Sequence, residues 1–176
     1  MKEIEVDGDD WKKADYPDIL HTILGPCIGI GIFDPKTRSG YMIHSTDFYV
    51  LDNLDSFLNI IQEDYKDLSR LRLCVVGNSL LGDDPQEVNE CSLKSRSYVE
   101  DQLPIYFNKS QIDFQWALND VSVDFVLDTS TGDFSIKYED IKCMDDIIEQ
   151  GIRDLPFSEE YLEQKKQKFL QEIRKE

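Results

Sequence analysis

Two hydrophobic rhythms run through this chain. Alternation with short apolar runs dominates the first two thirds, with helical spacing in places, and helical spacing takes over after Tyr138. The segments DILHTIL (18–24) and CIGIGIF (27–33) read as strands separated by a Gly25-Pro26 break. The turn-forming stretch DPKTRS leads into a third strand, GYMIHST (40–46). From Leu51 to Tyr65, apolar residues at 54, 57, 58, 61 and 65 recur at spacings of three and four, which predicts a helix capped by Asp52 or Asn53. RLRLCVVG (70–77) is dense enough for the centre of a sheet. A loop around Gly82-Asp83-Asp84-Pro85 then opens a helix through Leu103, which Pro104 should break. Alternation returns over 112–118 and 121–127, and a TSTG turn joins the latter to DFSIKY as a hairpin.

The ends are patterned differently. The opening MKEIEVDGDD is acidic and weakly periodic, so it is expected to be loosely held, with Trp11 and Tyr16 able to dock back. Beyond Tyr138, Ile141, Met144, Ile147 and Ile148 form an amphipathic stretch, and a charged helix starts at Ser158. The expected architecture is therefore α+β, a layered α/β sandwich. Its body spans 1–138, and a helical C-terminal extension, 139–176, is packed on it or continuous with it.

Charge narrows the range of partners. With 36 acidic against 19 basic residues the net charge is −17, which opposes binding to nucleic acid or to an anionic membrane surface. Solubility is the plain account of this acidity, and attraction to a basic partner is the functional one. The four cysteines form no C-x-x-C pair, and the two histidines lie in no ligand cluster, so neither a metal nor a cofactor is expected. The N-terminus lacks an apolar signal core, and no run approaches the roughly 18 apolar residues of a membrane span. These features suggest reduced thiols and a cytoplasmic location. Export as an effector stays open, because effector signals need not be legible.

Within that frame one pair stands out. A hydrolytic cysteine needs a nearby base and a group that orients the base. Cys27 follows the Gly25-Pro26 break, and both histidines of the chain, His21 and His44, flank it. A six-residue loop, 34–39, would set Phe33 opposite Gly40, Gly29 opposite His44 and Cys27 opposite Thr46. Cys27 and His44 then share one face as diagonal neighbours, roughly 7–8 Å apart at the backbone. Gly29 and Gly31 would leave that face bare for a substrate, while Ile28, Ile30 and Ile32 supply a core stripe on the other. Cys74 and Cys91 fall on apolar faces and read as core. Asn78 and Ser79, just past the central strand, are weaker candidates for oxyanion donors.

The stretch LGPCIGIGIFDPKTRSGYMIH (24–44) resembles the signature of the CheD family of chemoreceptor glutamine deamidases. That family shares its Cys–His arrangement with deamidase toxins of the cytotoxic necrotizing factor type. Likeness continues in order through LRLCVVGNSLL and VSVDFVLDTSTGDFSIKY, covering about 18–138. The resemblance implies the fold of those cysteine hydrolases. It also implies deamidation of a protein glutamine by Cys27 with His44 as base. Three departures accompany it. Pro26 stands where the family has Ser, and WALNDVS replaces a Gly-rich loop. His21 occupies the position of the family's third catalytic residue, a Thr, with Thr22 adjacent.

The sequence thus points to a cysteine-dependent amidohydrolase acting on an exposed glutamine of a protein, one that the acidic surface suggests lies in basic surroundings, with His21 or Thr22 orienting His44. Gly25, Pro26, Ile28, Gly29, Ser45 and Thr46 would line the substrate site. Two alternatives stand beside this reading: a binding or regulatory module that has lost turnover and engages a regulatory partner protein, or a cysteine hydrolase of another amide.

Overall fold

Each alternating segment becomes a strand, and the segment with no clear rhythm becomes two more. The computed structural model describes residues 1–46, 49–80 and 86–140. Its elements in chain order are β1 (Glu3–Glu5), β2 (Asp10–Asp15), β3 (Ile19–Leu24), β4 (Ile28–Asp34), β5 (Ser39–Ser45), α1 (Val50–Asp64), β6 (Arg72–Gly77), α2 (Gln86–Tyr106), β7 (Ile112–Trp116), β8 (Val121–Asp128) and β9 (Asp133–Asp140). Met1–Asp140 forms one compact unit. The helices expected from Ile141 onward lie outside the described residues.

Two mixed sheets organise this unit. One has the order β1-β3-β8-β9 and the other β2-β5-β4-β6-β7; the β1–β3 and β6–β7 pairs are parallel. The two helices pack on the outer face of the five-stranded sheet. There Ile28, Ile30 and Ile32 meet Leu54, Phe57, Ile61, Val99 and Leu103 in one core. A second core fills the space between the sheets, where Phe33, Met42, Cys74 and Val76 meet Leu20, Leu24, Val123, Phe125 and Leu127. The result is an α+β sandwich of three layers, helices on sheet on sheet.

The acidic N-terminus departs most from expectation. Rather than hanging loose, it contributes β1 to one sheet and β2 to the other, and residues 6–9 cross between them. Trp11 does dock back, its ring centroid 5.9 Å from that of Tyr41. Two helix boundaries also differ. Tyr49 holds the N-cap position of α1 with no side-chain cap bond, so Asp52 and Asn53 lie inside the first turn. Pro104 sits inside the last turn of α2, which continues to Tyr106. Pro104 has no N–H to give the Glu100 carbonyl, yet Phe107 N–H still closes the last turn on the Leu103 carbonyl at 3.0 Å.

Gly29 and Gly31 do not leave a bare face. A Cβ at Gly29 would stand 2.6 Å from Leu24 Cδ1, and one at Gly31 would stand 2.7 Å from Phe134 Cε1. The second sheet occupies the space that these glycines clear. Gly29 is therefore a packing residue and not part of a substrate surface. Ile28 is also fully buried, with its side chain in the helix-side core.

One polar network is buried with the apolar core. Asp34, fully enclosed, accepts hydrogen bonds from Arg70 Nε at 2.8 Å and Nη2 at 3.0 Å, and from Thr37 Oγ1 at 2.8 Å. Burial alone would push its carboxyl up, but these bonds and that from Lys36 N–H bring it down to about 2.

Candidate functional site around Cys27 and His44

Hairpin register fixes where His44 stands, and Cys27 sits in the bend just before β4. β4 and β5 pair with Phe33 opposite Gly40, Gly31 opposite Met42 and Gly29 opposite His44. Asp34 also pairs with Ser39, so the loop is four residues, 35–38, two fewer than expected; the parity is unchanged. Cys27 lies two residues before Gly29, on the His44 side of the sheet, and it packs partly buried against the inter-sheet core.

His44 is held by a residue from the other sheet. Thr22 Oγ1 lies 2.8 Å from His44 Nδ1 and also donates to the Val6 carbonyl at 2.8 Å. A hydroxyl has one proton. With that proton committed to Val6, Nδ1 donates to the Thr22 oxygen and Nε2 keeps the lone pair. Burial pushes the imidazole pKa down, and the Val6 carbonyl and the charges of Asp9 and Asp7 oppose that only in part. The shift favours the neutral imidazole, the state a general base requires.

Strand alternation separates the two candidates for the orienting role. On β3, Leu20, Thr22 and Leu24 point inward and are buried. His21 points to the outer face of its sheet, where Nε2 lies 3.1 Å from Asp124 Oδ1. His21 therefore does not orient His44; Thr22 is the residue that touches it.

Ser45 and Thr46 are committed elsewhere. Ser45 Oγ accepts from Asn53 Nδ2 at 3.0 Å. Thr46 gives both its N–H and its hydroxyl to Asp9, each at 2.9 Å, and Asn53 Nδ2 also reaches Asp9 at 2.8 Å. This cluster ties the crossing segment 6–9 to the start of α1. Neither residue stands as a substrate ligand.

The loop carrying Cys27 rests on the end of β6. The Gly25 carbonyl accepts from Ser79 N–H at 3.1 Å and the Cys27 carbonyl from Asn78 N–H at 2.7 Å. Asn78 Nδ2 reaches the Pro26 carbonyl at 3.4 Å. Gly77 has φ +94°, and a Cβ there would stand 2.3 Å from the Cys27 oxygen, so only glycine permits this approach. Asn78 and Ser79 are thus braces of the loop, not oxyanion donors. Gly25 and Pro26 border Cys27 at partial exposure, and a Cβ at Gly25 would meet open space. The WALNDVS connector is stitched to the same place, with Ser79 Oγ donating to the Leu118 carbonyl at 2.9 Å.

Of the other described cysteines, both expected in the core, one is enclosed and one is partly buried, as Cys27 is. Cys74 is buried, and desolvation, with Asp113 nearby, pushes its thiol up to about 12. Cys91 is only partly buried. Among the described residues no group of His, Cys, Asp and Glu is placed to hold a metal ion, and no helix is long and apolar enough to cross a membrane.

No protein-family model matches the chain. No curated protein matches it either. Among solved structures, the crystal structure of Bacillus licheniformis hypothetical protein YfiH is similar at 12% identity and a TM-score of 0.38, over 62% of this chain. The match spans about half of that protein, 51%. A likeness of this degree assigns neither a family nor an activity.

The Val6 carbonyl at His44 and the brace at Asn78 had no sequence signal. Any residue type can supply a main-chain carbonyl, so nothing in EIEVDGDD marks Val6 for that place.

Proposed function

We propose that this protein is a cysteine-dependent amidohydrolase that deamidates glutamine side chains of a protein substrate, as the CheD-like motif implies. The observation that carries the reading is the Thr22–His44 contact at 2.8 Å, which orients a partly buried imidazole, its neutral form favoured, on the inter-sheet side where Cys27 also packs. A hydroxyl that accepts from Nδ1 leaves Nε2 with the lone pair that a general base uses.

In this mechanism His44 takes the Cys27 thiol proton, and the thiolate attacks the amide carbon of the glutamine. The tetrahedral intermediate collapses as the C–N bond breaks, and His44 returns the proton so that ammonia leaves. Water, deprotonated by His44, then attacks the thioester. Glutamate and the free thiol result. Thr22 holds the imidazole orientation through both steps, and Gly25 and Pro26 form the border where the side chain enters. A net charge of −17 favours a glutamine in basic surroundings.

The test is to incubate a dialysed protein extract with wild type or Cys27→Ala. Ammonia release is followed, and glutamines gaining about one dalton are mapped by mass spectrometry. Conversion by wild type that is lost in Cys27→Ala is expected. Conversion that survives the substitution, or none by wild type, defeats the proposal.

A further inference from the structure

We propose that Arg96 is a positioning residue of the Cys27 loop and acts through Asn78. The inference rests on the deamidase reading and adds to it a side chain on α2, on the far side of β6 from the loop itself.

Asn78 makes an unusual set of bonds for a residue at a strand end. Its backbone is left-handed, with φ 57°, and it is fully buried. One side of it holds the loop, N–H to the Cys27 carbonyl and Nδ2 to the Pro26 carbonyl. These two carbonyls belong to the peptide units immediately before and after the Cys27 Cα. Fixing both fixes the direction in which the Cys27 side chain leaves the backbone.

The other side of Asn78 is held by Arg96. Nη2 donates to the Asn78 carbonyl at 2.9 Å and Nε to its Oδ1 at 3.2 Å. A guanidinium presents both donors in one rigid plane, so main chain and side chain of Asn78 are oriented together. The same bond to Oδ1 determines that the Asn78 amide turns its NH2 to Pro26 and not its oxygen. Arg96 is in turn held over the Trp116 ring at 4.9 Å, and Trp116 Nε1 donates to Glu100 at 2.6 Å. The path Trp116–Arg96–Asn78–Cys27 therefore runs from β7 by way of α2 to the nucleophile with a specific contact at each step.

Lysine in place of Arg96 keeps the charge, but its donors share one freely rotating nitrogen and cannot hold both oxygens of Asn78 in a rigid plane. Glycine in place of Asn78 accommodates the left-handed backbone and keeps its N–H bond while removing the amide. These substitutions separate orientation from folding.

The experiment is alkylation of the full chain by iodoacetamide across a pH series, with the Cys27-bearing peptide quantified by mass spectrometry. Wild type, Arg96→Lys, Arg96→Met, Asn78→Gly and His44→Ala are compared, with thermal unfolding of each. In wild type, Cys27 should alkylate at lower pH than in His44→Ala. In Arg96→Met and Asn78→Gly the pH midpoint should rise toward the His44→Ala profile, and the neutral-pH rate should fall about 10-fold, with Arg96→Lys in between. A lower Tm with an unmoved midpoint shows a structural role alone and overturns the proposal. A wild-type profile equal to that of His44→Ala overturns the deamidase reading and this inference together. A distinct wild-type profile that the Arg96 variants retain overturns only this inference.

Discussion

At the scale of single residues, a difference of one position decides the chemistry. His21 and Thr22 are adjacent, but alternation on β3 sends the first to solvent with Asp124 and the second to His44. Thr22→Val keeps shape and volume and removes the oxygen that accepts from Nδ1. It should lower kcat/KM for deamidation about 10–100-fold, whereas His21→Ala should stay within about twofold of wild type. Steady-state assays on the mapped substrate decide this, and equal losses in the two variants would sink the assignment of Thr22. The pH profile belongs to the same residue. Burial depresses the His44 pKa, so the base stays unprotonated to more acid pH than a free histidine would. The acid limb of kcat/KM should lie below about 6.5.

For the elements, the hairpin β4–β5 shows how a correct register can carry a wrong environment. Parity placed Gly29 opposite His44, and the pairing agrees. What faces those glycines could not be read from the hairpin, because the second sheet is built largely from residues 121–140, distant in sequence. Gly31→Ala tests the packing. Its Cβ would fall 2.7 Å from Phe134 and 2.9 Å from Phe125, both rings confined in the core. Overpacking of this kind should lower stability by about 1–3 kcal/mol in urea titrations with an unchanged m-value. A midpoint equal to wild type would mean that the face is open after all. β1 and β2 escaped the hydrophobic pattern for a related reason. As edge strands they bury only Ala14 of their own residues, so the alternation that marks interior strands is weak in them.

Across the whole unit, a chain with a net charge of −17 encloses one carboxylate among its described residues, Asp34, paired with Arg70. Its folded pKa of about 2 lies below the unfolded value, so its contribution is complete above about pH 4 and fades as pH falls through the folded value. Two pH units correspond to about 2–3 kcal/mol. Asp34→Asn should therefore be less stable than wild type at pH 6, and the two unfolding midpoints should converge toward pH 2. A constant gap over that range would show that Asp34 ionisation does not stabilise the fold.

The sequence by itself determined most of the strands, the helix face of α1, the Cys27–His44 parity and the separation of a stripe of isoleucines from a stripe of glycines. Each depends on a period of two or about 3.6 within one segment, and such periods are local. Tertiary structure alone decided that Thr22 rather than His21 meets His44 and that the glycine stripe is covered. It also decided that the N-terminal segment supplies the Val6 carbonyl, and that Arg96 reaches the Cys27 loop through Asn78. These contacts join residues brought together by sheet order and sandwich packing, and no spacing along the chain encodes which main-chain carbonyl or guanidinium arrives at a given side chain.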